Sequence, residues 1–170
     1  MRIFTIGHSI RTFDELVNLL QAYEVNILAD VRSFPRSFKN PQFNAEVIGV
    51  ELEERNIRYA WMQKLGGRRK GLGKESKNVC WKNQSFRNYA DYMETHVFRE
   101  GVEELIELGR GGKVAIMCAE ALYWRCHRCM ISDFLKSNGV EVTHIFDREC
   151  AQEHEYTQCA KIVDGQLTYH

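Results

Sequence analysis

Short apolar runs of strand length alternate along this chain with longer segments of helical period, and that alternation restricts the fold more than any other feature. Ile3 to Ile6 reads as a buried strand. Thr12-Phe13-Asp14-Glu15 then fits a capping box, in which the Thr hydroxyl and the Glu three residues on engage free amides at the start of a helix. Phe13, Leu16, Val17, Leu19 and Leu20 form its apolar stripe. The pattern continues with a strand from about Asn26 to Val31, a helix capped by Asn44 and running to about Arg55, and a strand from Arg58 to Met62.

Further on, Phe86, Tyr89, Ala90, Met93 and Val97 lie at helical spacing. A second helical piece carries Val102, Leu105 and Ile106 until Gly109-Arg110-Gly111-Gly112 ends it. Lys113 to Cys118 is the clearest buried strand, Met130, Ile131, Phe134 and Leu135 mark a helix that stops near Asn138-Gly139, and Glu141 to Phe146 makes a last strand. The expected fold is a single α/β domain over residues 1–170, with a mostly parallel sheet of about five strands and helices on both faces. Its core spans residues 1–146, and residues 147–170 are ambiguous.

No stretch approaches the roughly 18 consecutive apolar residues of a membrane span, and the opening Met-Arg-Ile-Phe-Thr-Ile-Gly-His reads as a strand rather than a signal peptide. A cytoplasmic protein without membrane contact is expected. The six cysteines are few for 170 residues, which favours reduced thiols over a disulfide scaffold. The formal net charge is zero, but residues 55–87 hold ten Lys or Arg against one acid, Glu75. Such asymmetry steers an anionic partner to one face. Within this segment residues 63–84 show no useful periodicity, and a long mobile loop is expected there.

In parallel sheets ligands bind outside the carboxyl ends of the strands. The ends here carry His8 and Ser9, then Asp30 and Arg32, then Cys118 and Glu120. Glu120 suits a general base, with His8 or Asp30 as its partner. Asp30 and Arg32 also suit a plain structural ion pair. Cys118 closes a buried strand before a helix start that suits a thiolate, although a small core residue is the commoner use of such a cysteine. Cys126-His127-Arg128-Cys129 opens the next helix, where free amides, His127 and Arg128 can meet an anion. Its Cys-x-x-Cys spacing resembles a metal motif, but no second such pair completes four ligands, so no metal or other cofactor is expected. Arg68, Arg69 and Lys70, with Phe34, Phe38, Tyr59, Trp61 and Trp81, offer the cations and stacking surfaces that suit nucleotides or single strands.

Several separated motifs resemble the DUF488 family, a domain of unknown function with an α/β fold. They are Thr5-Ile6-Gly7-His8-Ser9, Asp30-Val31-Arg32-Ser33-x-Pro35-x-Ser37, Leu65-Gly66-Gly67, Tyr89-Ala90-x-Tyr92-Met93, Met117-Cys118-Ala119-Glu120, Cys126-His127-Arg128 and His144-Ile145. The resemblance covers nearly all of residues 1–146. This chain departs from it in a lengthened stretch around Ala121 to Trp124 and a cysteine-bearing tail after Asp147. Rhodanese and cysteine-phosphatase domains are similar more weakly. Their phosphatase loop is Cys-x5-Arg, whereas six residues separate Cys118 from Arg125, and Glu120 would repel a bound anion. The leading expectation is a nucleotide- or nucleic-acid-directed enzyme using acid–base chemistry, with hydrolysis or glycosidic cleavage as the fitting reactions. The alternatives are a non-catalytic nucleic-acid-binding module and rhodanese-like thiol or persulfide chemistry at Cys118.

Overall fold

Each apolar run expected to be a strand pairs into one sheet in the computed structural model, which describes residues 1–170. In chain order the elements are β1 (Arg2–Gly7), α1 (Phe13–Ala22), β2 (Ile27–Asp30), α2 (Ala45–Glu53), β3 (Arg58–Trp61), α3 (Gln84–Met93), α4 (His96–Gly111), β4 (Val114–Cys118), α5 (Arg128–Ser137), β5 (Glu141–Ile145), β6 (Ala151–Glu153), β7 (Lys161–Val163) and β8 (Gln166–Thr168). The sheet order is β3-β2-β4-β1-β5-β6, and every pairing is parallel except that of β6 with β5. The sixth strand comes from the ambiguous tail, whose β7 and β8 form a separate hairpin.

Alternation along the strands divides the core between two helical layers. Ile3, Ile27, Ala29, Val114, Ile116 and Cys118 face the layer that supplies Tyr89, Phe98, Leu105, Met130 and Ile131. Phe4, Ile6, Leu28, Ala115 and Met117 face the opposite layer, with Leu16, Leu20, Ile48 and Leu52. The capping box at Thr12 forms in both directions with Glu15. Cys118 therefore ends the central strand on the side where α5 begins.

Two expectations are corrected. Residues 63–84 are not a featureless mobile loop; they contain two 3-10 turns, Gln63–Leu65 and Gly73–Glu75. The Asp91 carboxylate on α3 accepts from Leu72 N, Ser76 Oγ and Asn78 Nδ2, and the hydroxyls of Tyr89 and Tyr92 donate to the carbonyls of Leu65 and Lys64. These bonds replace the periodicity that the segment lacks. Nor are all six thiols reduced, because Cys80 and Cys159 form a disulfide across 79 positions of sequence. The tail folds back over the domain and brings Cys159 to the loop before α3, a meeting that spacing alone does not reveal.

The same tail is tied down by a buried polar chain. The Thr5 hydroxyl donates to His144 Nδ1 (2.7 Å), His144 Nε2 to His154 Nδ1 (2.9 Å), and His154 Nε2 to Asp133 Oδ1 (3.0 Å). A carboxylate at one end can only accept, which fixes the tautomer of each ring. Asp133 also accepts from Thr157 N, Thr157 Oγ1 and the Tyr169 hydroxyl. No helix of the structure is long and apolar enough to cross a membrane.

Candidate functional site

Register brings three strand ends together. Gly7 lies beside Cys118 and Asp30 beside Met117. Beyond the strands, His8 N and Ser9 N donate to the carbonyls of Cys118 and Ala119 (both 3.0 Å), so the loops leaving β1 and β4 run side by side. Gly7 makes this possible, since a Cβ there would lie 1.9 Å from the Glu120 carbonyl oxygen. Ser9 turns with φ of 48°, a conformation non-glycine residues seldom adopt and one that recurs at binding sites. Above these ends opens a cavity of about 820 Å³, lined among others by His8, Ser9, Arg32, Cys118, Glu120 and His127.

Asp30, Arg32 and His8 meet as expected, in a closed arrangement. Arg32 Nε approaches both Asp30 oxygens (2.9 and 3.0 Å), its Nη2 reaches Oδ2 (2.5 Å) and the Phe43 carbonyl (2.7 Å), and the Tyr59 hydroxyl donates to Oδ2 (2.7 Å). Asp30 is wholly buried and its lone pairs are occupied. The pair braces the end of β2, as the plain structural reading anticipates. His8 Nδ1 donates to the Ser9 carbonyl (2.9 Å), leaving Nε2 to accept from Arg32 Nη1 (3.4 Å), and the ring stacks on Phe43. Burial, reinforced by the Arg32 charge, lowers the His8 pKa to about 4. The ring is neutral near pH 7.

Cys118 faces Cys126 across the gap between β4 and α5, and the sulfurs of both lie with a ring nitrogen of His127 within 4.8 Å of one another. His127 Nε2 donates to the Val31 carbonyl (3.0 Å), which turns Nδ1 toward Cys126 Sγ, 3.6 Å away. Arg128 donates to the same sulfur from its backbone N and from Nε, both at 3.4 Å, and its Nη2 reaches the Glu120 carbonyl. This guanidinium is 1 % exposed and none of its hydrogen bonds goes to a carboxylate. A buried permanent cation needs an anion close by, and the Cys126 sulfur occupies that place.

Burial opposes a thiolate at Cys126, yet the facing Cys118 thiol, the His127 ring and Arg128 outweigh it and hold Cys126 well below the ordinary thiol value. The neighbouring Cys126 sulfur, with burial next, pushes Cys118 well above it. Of the two thiols it is Cys126, not Cys118, that the surroundings favour as thiolate. Cys129, the other half of the Cys-x-x-Cys spacing, sits in the core with its thiol raised by burial. The partner of Cys126 through space is Cys118, a pairing that local spacing does not signal.

Glu120 is exposed at the cavity wall, and its carboxylate has no hydrogen-bond or ion-pair partner, although its carbonyl holds Arg128. Of Arg68, Arg69 and Lys70, only Arg68 lines the cavity, placed by a bond from its N to Ser33 Oγ (2.8 Å) and lying 5.6 Å from the Phe34 ring. Arg69 turns away, stacking on Tyr92 at 3.9 Å and donating to the Gly66 and Gln63 carbonyls. Lys70 is exposed and outside the cavity wall. The wall also contains Arg125, Asn83, Ser85 and Phe86, which sequence reasoning did not select as site residues. Arg125 and Phe86 had a legible signal, as a cation beside the Cys-His-Arg motif and an aromatic next to the basic segment.

Leu65-Gly66-Gly67 closes the site from the side. A Cβ on Gly66 would lie 2.8 Å from Ser33 Oγ, and one on Gly67 only 2.4 Å from His127 Nδ1. A larger depression, about 1110 Å³, lies against α4 and the β7–β8 hairpin and contains none of the strand-end residues. The chemically equipped cavity is the smaller one.

The DUF488 family model, described as a domain of unknown function, matches residues 12–135. No curated protein and no solved structure matches the chain. The matched span includes Asp30, Arg32, Cys118, Glu120, Cys126, His127 and Arg128, and stops short of both histidines of the buried chain, His144 and His154. With that match over most of its length, the chain belongs to the DUF488 family.

Proposed function

We propose that the strand-end cavity is the active site of an enzyme that acts on a nucleotide or nucleic-acid substrate by acid–base chemistry. The observation that carries this reading is the state of the charges on the cavity wall. Arg32 is matched by Asp30 and Arg36 by Glu46, whereas Arg68, Arg125 and Glu120 have no ion-pair partner in the protein. Unpartnered cations on a concave wall suit phosphate, and exposed Phe34 and the Phe86 ring beside them offer faces for a base. Glu120 is then the carboxylate free to take or give a proton, with Arg128 fixing its backbone from behind. Asp30 is fully engaged, so it holds the wall rather than exchanging protons.

The test combines binding and turnover. Fluorescence anisotropy with labelled single-stranded and duplex DNA and RNA, competed by mononucleotides, should show binding that weakens with salt and is lost in Arg68→Ala/Arg125→Ala. Glu120→Gln should retain binding and lose turnover of the oligonucleotide. Binding without turnover in the wild type makes the protein a recognition module. Turnover that survives Glu120→Gln but not Cys126→Ser moves the reaction from Glu120 to the Cys118–Cys126 side of the cavity. Absence of binding at low salt overturns the reading.

A further inference from the structure

Cys118, Cys126 and His127 come from two separate parts of the chain and converge on one wall of the cavity. Neither the Cys-x-x-Cys spacing nor the family description assigns them a role. We propose that these three side chains form a binding site for a divalent transition-metal ion, zinc by preference, with a fourth coordination position open to the cavity.

Four features of the structure support it. First, the separation of donors suits the ion. With Zn–S near 2.3 Å and Zn–N near 2.0–2.1 Å, tetrahedral coordination puts a sulfur and a nitrogen ligand about 3.6 Å apart. Cys126 Sγ and His127 Nδ1 are 3.6 Å apart, and the Cys118 sulfur completes a group within 4.8 Å. Second, the imidazole is aimed. His127 Nε2 is held by the Val31 carbonyl, the outer bond that ligating histidines make, so the nitrogen left for a metal is Nδ1, on the side of the sulfurs. Third, the Cys126 sulfur accepts two N–H bonds from Arg128, which support negative charge on a ligand sulfur. Fourth, soft sulfur with imidazole selects zinc over magnesium or calcium, which prefer oxygen.

Binding of the ion releases to solvent the Cys118 proton and any proton held between Cys126 and His127, and leaves two thiolates and a neutral imidazole around a dication. Three protein ligands and an open position are the pattern of a zinc site that takes up water or substrate, as opposed to a closed structural site of four ligands. Glu120, two residues beyond Cys118, stands on the same cavity wall. The metal site does not depend on the identity of the substrate: it stands or falls on metal binding alone, and Glu120→Gln leaves it intact.

The test uses the full chain with Cys118, Cys126, Cys129 and Cys150 reduced and the Cys80–Cys159 bond kept. Cobalt(II) titration is followed by absorbance, and zinc content is measured after equilibration and gel filtration. One equivalent of metal, with a thiolate-to-cobalt charge-transfer band and tetrahedral d–d bands, is expected. The bands should disappear in Cys126→Ser and in His127→Gln and persist in Cys150→Ser, which removes the exposed thiol. Should a variant fail to fold, the wild type still decides. Zinc must slow alkylation of Cys118 and Cys126, read residue by residue by mass spectrometry, without slowing that of Cys150. No retained metal, or bands that survive loss of Cys126, overturns the proposal.

Discussion

His154 donates to Asp133 at 3.0 Å in the protein interior, and through that bond the C-terminal segment is fastened to α5. His144, the next ring in the chain of bonds, lies flat against Tyr123 with centroids 3.4 Å apart. Burial, with the neighbouring His154 and Arg128 adding to it, lowers the His144 pKa to about 2. The folded protein therefore holds this ring neutral where the unfolded chain, with a pKa near 6.5, takes up a proton. The stability it contributes is complete above pH 6.5 and declines as the pH falls from there toward 2. The expected slope is about 1.4 kcal/mol per pH unit well below 6.5, from this histidine alone. Urea unfolding at pH 7, 6, 5 and 4 measures it, and the slope should shrink in His144→Gln. A pH-independent difference between the two proteins would contradict the assignment.

The tail has a second fastening in Cys80–Cys159. Closing a loop of 79 positions restricts the unfolded chain, an effect of about 4.5 kcal/mol in the chain-entropy account. Cys159→Ser should lower the free energy of unfolding by roughly that amount in the absence of reductant. Wild type treated with a thiol reductant should converge on the variant. Equal stability of oxidised wild type and variant would show that the bond adds nothing.

Asp30 offers a sharp distinction between a catalytic and a supporting carboxylate. Asp30→Ala leaves the Arg32 guanidinium buried without its anion, a loss of about 3–5 kcal/mol. The damage should appear in thermal unfolding, and Tyr59→Phe should cost only about 1 kcal/mol because one neutral donor is removed. Glu120→Gln, on the exposed wall, should leave the unfolding midpoint unchanged. If Asp30→Ala unfolds like wild type yet abolishes turnover, Asp30 acts on the substrate and the supporting role is wrong.

The outline of this fold was legible because strand and helix periods differ and because Cys118, Asp30 and His8 all follow buried runs. Register then does what adjacency in sequence cannot, setting Gly7 beside Cys118 and Asp30 beside Met117. The cooperation of Cys118 with Cys126 was not legible. It depends on a bulky intervening loop from Ala121 to Trp124 returning the chain to α5 at the right height. Asp133 and His154 lie 21 positions apart without a motif to join them, and only the folded-back tail makes each the other's partner. Residues 63–84 lacked periodicity because side-chain bonds to Asp91, and not a repeating backbone pattern, hold them.

Gly67 gives the most local probe of the site. Its hydrogen faces the His127 ring, and a Cβ built there falls 2.4 Å from Nδ1, closer than atoms can approach. The ring is held from the other side by Val31, so Gly67→Ala must either break that 3.0 Å bond or lift the Leu65-Gly66-Gly67 turn. Overpacking of this kind costs about 1–3 kcal/mol. The imidazole nitrogen resonances of His127 should shift, and the zinc-dependent protection of Cys126 from alkylation should weaken. Gly111→Ala is the control: beyond its own stretch of helix nothing lies within 4 Å of the added Cβ, so the fold and the His127 resonances should remain as in wild type. Unchanged His127 resonances in Gly67→Ala would mean that the turn yields freely and does not position the ring.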